Sequence, residues 1–137
     1  MSRAQNTKRR VIACGVLEPY LALLAREHDL CIDATALDAG LHARPNELRA
    51  LLQEEIDRAT PQAGYDAVVL LYGLCGRGTA NLVAREAPVV IPRAHDCISL
   101  FLGSTEEYGR QFSRHPGTFY HSLGWIEKKT NPRDRKA

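Results

Sequence analysis

Apolar residues in this chain occur in two kinds of stretch, short unbroken runs and longer spaced ones, and the two kinds alternate. Residues 10–15, RVIACG, form a short apolar run closed by glycine, which suits a buried strand and a tight turn. Glu18–Glu27 carries apolar residues at helical spacing, with Pro19 near the start, where its missing N–H costs nothing. Leu30–Ala34 reads as a second strand, with Cys31 as a small core residue. The loop DAGLHARPNEL leads into the strongest helical pattern, Pro45–Ala59, where Leu48, Leu51, Leu52 and Ile56 form one stripe and Glu and Arg take the other face. Ala67–Tyr72 is a continuous apolar run rich in strand formers, as expected of a strand covered on both faces. After the loop GLCGRG the spacing predicts a helix over Thr79–Arg85 and a fourth strand over Pro88–Ile91. A short helix over Cys97–Leu102 and a helical turn or two over Glu106–Phe112 follow.

Strands alternating with helices predict an α/β fold, an open, mainly parallel, four-stranded Rossmann-like sheet flanked by helices. Right-handed crossovers and the commonest open arrangement give the strand order 2-1-3-4, with the switch point between the first and third strands.

Composition sets the scale. A chain of 137 residues with 45% apolar residues supports one domain with a real core, here residues 10–127. Residues 1–9 are polar and basic and residues 128–137 are highly charged, so both ends are expected to be disordered. Charged residues make up 25% and nearly cancel to +2, with few aromatics, which argues against a nucleic-acid partner. No run approaches the roughly 18 apolar residues of a membrane span, and the short run VIACGVL is no secretory signal. The expected compartment is the cytoplasm, where cysteines serve as thiols, metal ligands or nucleophiles rather than disulfides.

The strand order gives three of those cysteines a shared destination. Ligands of open parallel sheets bind beyond the carboxyl ends of the strands. Cys14 lies at that end of the first strand, Cys75 just beyond the third and Cys97 a few residues beyond the fourth. These strands are neighbours about 4.8 Å apart, so short loops can gather the sulfurs into one metal centre. Histidine can join them. His95 stands two residues before Cys97, and His42 follows the second strand. Three cysteines and a histidine suit Zn²⁺, whereas three cysteines alone suit a [4Fe–4S] cluster with one iron open to substrate. Zinc is favoured because nitrogen ligands are at hand. No CxxC pair occurs, so the case rests on the fold, against the plainer possibility that these cysteines only pack.

The same residues permit other chemistry. Cys97 opens a helix behind His95 and Asp96, an arrangement that favours a thiolate nucleophile, although Asp96 is more simply an N-cap. Gly73, Gly76 and Gly78 lead from strand to helix and form a candidate cofactor- or anion-cradling turn, with Arg77 or Arg93 adding charge. They fit no Walker or dinucleotide fingerprint, and a tight turn around Cys75 explains them as well. Residues 115–125, HPGTFYHSLGW, suit a lid that brings Tyr120 and His121 to the site, or simple aromatic packing, which is favoured.

The runs IACGVLEP, LHARPNELRALLQEEID, YDAVVLLYGLCGRGT, VVIPRAHDCISLFLGS and PGTFYHSLGWIE resemble the domain-of-unknown-function 1638 family over most of residues 11–127. The resemblance implies that Cys14, His42, Cys75, His95 and Cys97 sit within family motifs. It also implies one-carbon or methyl metabolism beside corrinoid-dependent methyl transfer, and chains that continue well beyond the GW block, so that this chain is expected to be either a short variant or one lacking a part of the site that a partner subunit could supply. The expected activity is therefore that of a metal-dependent transferase or lyase acting on a small, anionic molecule. In that reading Cys14, Cys75 and Cys97 are the ligands, His95 is a fourth ligand or proton carrier, and Arg93 anchors the substrate. The alternatives are a non-catalytic metal- or cofactor-binding accessory protein and a metal-free enzyme using Cys97 as nucleophile. An exposed sheet edge in so small a domain makes a homodimer reasonable.

Overall fold

The computed structural model describes residues 8–74, 77–118, 120 and 122–127. Its strands are β1 (Arg9–Cys14), β2 (Ile32–Leu37), β3 (Ala67–Leu71) and β4 (Val89–Val90). All pair in parallel in the order β2-β1-β3-β4. In register, Cys14 lies opposite Leu37, and Ala13 lies between Ala36 and Leu71. The carboxyl ends of β1, β2 and β3 are therefore level.

Helices cover both faces of this sheet. They are α1 (Glu18–Glu27), α2 (Pro45–Arg58), α3 (Cys97–Leu102), α4 (Thr105–Arg114) and α5 (Leu123–Glu127). Successive residues of a strand point to opposite faces, and β1 shows what each face buries. Ile12 packs with Val68 and Leu70 against Leu48, Leu52 and Ile56 of α2. Ala13 packs on the other side with Val16, Leu17 and Ala39, where Cys14, Leu71, Cys97 and Leu100 border the cluster. Each fully buried Leu or Ile of the α2 stripe contributes about 1.5–3 kcal/mol. At the amino half of the sheet Arg10 is nearly buried, and it donates to Glu55 Oε2 and Thr35 Oγ1, each at 2.8 Å. A buried guanidinium needs such partners.

Two local expectations are corrected. Cys31 precedes β2 and is exposed rather than part of the core. Its carbonyl accepts from Arg9 N at 3.2 Å at the amino edge, and β2 instead extends to Leu37. No helix forms over Thr79–Arg85. There the Gln53 amide donates to the Val83 carbonyl at 3.0 Å and accepts from the Val83 N–H at 2.9 Å. A side chain on α2 thus satisfies backbone groups that a helix would have paired internally. Asn81 is left-handed at φ 60, and Arg85 pairs with Asp57 at 2.8 Å, which also hold the segment open.

The aromatic segment, read as a lid or as packing, runs into α5. Gly124 of that helix presses on the Val16 backbone with no room for a side chain. The helix over Cys97–Leu102 matches its expected span, and α4 exceeds its own because Ser104 caps it, accepting from Glu107 N at 3.0 Å. Of the ends expected to be disordered, residues 1–7 and 128–137 lie outside the described residues, while Lys8 and Arg9 are described and Arg9 instead begins β1. Among the described residues no helix is long and apolar enough to cross a membrane.

Candidate functional site

Close backbone approaches build the carboxyl edge. After Cys14 the chain enters a 3₁₀ turn, Gly15–Leu17. A Cβ on Gly15 would stand 2.8 Å from the Leu37 carbonyl, so only glycine lets β1 leave beside the end of β2. That contact brings Asp38 and the 3₁₀ turn Ala39–Ala43, which carries His42, alongside the first strand. Asp38 starts the turn by accepting from Gly40 N at 2.7 Å. On the other flank β3 runs out through Tyr72 to Gly73, which lies against the backbone of Asp96. Leu74 N donates to the Ala94 carbonyl at 3.0 Å, fixing the same approach. Asp96 is the N-cap expected of it, accepting from Ser99 N at 3.0 Å and Ser99 Oγ at 3.3 Å, so Cys97 opens α3.

These approaches enclose a cavity of about 30 Å³, walled by Cys14, Cys97, Asp38, His42 and Tyr72. It has room for about one ion or water molecule. Burial pushes the Cys14 thiol up, the Val16 N–H draws it back, and the charge of Asp38 raises it further. Burial also pushes the Tyr72 phenol up, with Cys14 adding to the effect. The Tyr72 hydroxyl is buried and has no hydrogen-bond partner among the described residues. A buried polar group in that state is costly unless something in the cavity satisfies it.

A second, larger cleft of about 560 Å³ opens beside the first, with Thr79 lining both. Arg77, Arg93, His95 and Thr105 supply its polar positions. The His95 side chain is 68% exposed, with Nδ1 at 3.2 Å from Asp96 Oδ2. Arg77 adopts a left-handed backbone at φ 58, and its carbonyl accepts from Arg49 Nη2 and Ala80 N, each at 3.1 Å. A non-glycine residue in that conformation is held there by its surroundings.

The expected site residues thus divide between two spaces. Cys14, Cys97, Gly73 and Gly78 line the small cavity; His95 and Arg93 line the large cleft. Cys75, Gly76 and His121 lie outside the described residues. Among the described residues no three of His, Cys, Asp and Glu come together closely enough to hold a metal ion. Tyr120 packs against Tyr108 of α4 with ring centroids 6.0 Å apart, the packing role favoured for it.

Asp38, Tyr72 and Thr79 escaped the sequence reading. Asp38 was hidden because the second strand ends at Leu37 rather than Ala34, which moves the carboxyl edge onto it. Tyr72 reads as the last residue of an apolar strand, and its hydroxyl was the signal that could have set it apart.

No curated protein and no solved structure matches the chain. A family model described as "protein of unknown function (DUF1638)" matches residues 36–136. Gly73, Gly78, Arg93, His95 and Cys97 fall within that match, and Cys14 precedes it. The match spans most of the sequence, and the chain belongs to this family.

Proposed function

We propose that this protein is a metal-dependent enzyme acting on a small molecule, with zinc held by Cys14, Cys75 and Cys97 at the carboxyl edge of the sheet. The observation that carries the reading is that Cys14 and Cys97, from distant parts of the chain, wall one ion-sized cavity. Cys75 directly follows Leu74, whose N–H is bonded to Ala94 close to the start of α3. Cys75 itself lies outside the described residues and enters as the third ligand from its place in the sequence alone.

The donor chemistry fits a soft divalent cation. Thiolates are zinc's commonest partners, and a cation would reverse the upward push that burial gives Cys14. Zinc bound there would supply Lewis acidity to a coordinated substrate atom. The protein's own part is to exclude water around that atom and to present Asp38, His42 and Tyr72 from the cavity wall. Tyr72 brings an unspent hydroxyl to hydrogen-bond a substrate oxygen or nitrogen. His95, in the neighbouring cleft, serves as the proton carrier and not as a fourth ligand.

Elemental analysis and an absorption spectrum of anaerobically purified protein test this. One zinc per chain and no visible colour is expected, lost on Cys14→Ser, Cys75→Ser or Cys97→Ser and kept on Cys31→Ser. Visible absorption with iron and sulfide would replace zinc by a [4Fe–4S] cluster on the same thiols. Protein without metal, or with metal indifferent to these substitutions, overturns the reading.

A further inference from the structure

The large cleft holds two arginines, Arg77 and Arg93. Among the described residues neither the Arg77 nor the Arg93 guanidinium has a carboxylate within ion-pair distance. Among the described residues no acidic one lines the cleft. Other arginines do find carboxylates, with Arg10, Arg44, Arg85 and Arg110 each pairing within 2.8 Å, whereas the two in the cleft share one space lined by no described acid. Leu74, Ile91, Pro92 and Ala94 add apolar surface to the same cleft.

We infer that this cleft binds a small aliphatic carboxylate, its head on Arg77 and Arg93 and its body along the apolar wall. A guanidinium presents parallel donors that match the two oxygens of a planar carboxylate. Phosphate sites usually add a set of free backbone N–H groups. Around this cleft three such groups are already committed: Leu74 N to Ala94, Ala94 N to Pro92 and Ala80 N to Arg77. A volume of about 560 Å³ accommodates a body of several carbon atoms. Arg77 is kept in place by its left-handed backbone and the Arg49 bond to its carbonyl. Arg93 is kept in place by Thr105, whose hydroxyl donates to the Arg93 carbonyl at 3.3 Å.

As a substrate class for the neighbouring centre, the inference rests on the metal-dependent reading. Binding itself requires no metal, which allows the two to fail separately. Titrations of the full chain, metal-loaded and chelator-treated, with hexanoate, hexanamide, hexyl phosphate and inorganic phosphate would be followed by NMR or calorimetry. Hexanoate is expected to bind in both metal states and at least tenfold more tightly than hexanamide. Arg77→Gln and Arg93→Gln should each weaken it tenfold or more with the circular dichroism spectrum unchanged, and Arg93→Lys should restore part of the loss.

Equal binding of hexanoate and hexanamide, or no binding of either, overturns the inference and leaves any metal result standing. Tighter binding of hexyl phosphate or inorganic phosphate overturns the carboxylate assignment. Should a Gln variant lose its fold, hexanamide against hexanoate on the unmodified chain still decides. Hexanoate binding to a chain that takes no metal supports the inference and sinks the metal centre alone.

Discussion

Gly73, just past β3, stands so close to the backbone of Asp96 that no side chain fits between them. This contact places the start of α3 beside the end of β3, and Cys97 with it. Gly73→Ala must displace the Asp96 backbone, which cannot yield as a flexible side chain would. The expected cost is about 1–3 kcal/mol in denaturant unfolding, together with loss of bound zinc. Unchanged stability and metal content would show that the segment before α3 tolerates displacement.

Gly109 provides the opposite case. It lies inside α4 with open space where a Cβ would go. Gly109→Ala is expected to stabilise the protein by about 0.5–1 kcal/mol, because glycine costs that much in a helix interior. A thermal melt that moved down would show that α4 needs the missing side chain.

Two histidines separate the two spaces. His42 lines the small cavity and His95 the large cleft. His42→Ala is expected to weaken zinc retention against a competing chelator, whereas His95→Ala should leave it within about twofold. Ligand-neighbour changes commonly cost 10–100-fold in affinity. The reverse ranking would return His95 to the ligand set.

Gln53→Ala removes both hydrogen bonds to Val83 and one to Asp57. Val83 is half exposed, so water replaces much of what is lost, and a cost of about 1 kcal/mol is expected. Hydrogen exchange at the Val83 amide should accelerate more than exchange within α2. Equal acceleration in both would mean that the clamp stabilises the whole fold rather than this segment.

Asp33 gives stability a pH dependence at low pH. A hydrogen bond from the Tyr65 hydroxyl, helped by Arg10 and Lys8, holds its carboxyl below the ordinary 3.8. The fold thus favours the ionised form. This contribution is present above the unfolded pKa of about 3.9 and is lost as pH falls through the lower folded value. The side chain is 46% exposed, so solvent screening limits the contribution to about 0.5 kcal/mol or less. Asp33→Asn should cost that much at pH 7 and nothing once the wild-type carboxyl is protonated, as read from urea midpoints. A constant difference across that range would remove the electrostatic account.

The architecture was readable because β1, β3 and α2 carry strong, unambiguous patterns. Ile12, Val68 and Leu70 and the stripe Leu48, Leu52 and Ile56 announce two faces that must meet. Parallel order followed from chain connectivity. The site was less readable because it depends on close backbone approaches. Gly15 against Leu37 and Gly73 against Asp96 are three-dimensional contacts that leave only a glycine in the text of the sequence. Periodicity likewise could not anticipate that a side chain of α2 would claim Val83 and prevent a helix. The division of His95 from Cys97, two positions apart, follows from the Asp96 cap, since the chain turns there into α3.

The seat of α5 on Val16 bears on the order of assembly. Val16 follows the first thiol by two residues and is almost wholly shielded, in part by a helix made late in synthesis. A nascent chain arrested before residue 124 would leave the Val16 backbone without this cover, so the turn after the first thiol is closed by a part of the fold far from it in sequence.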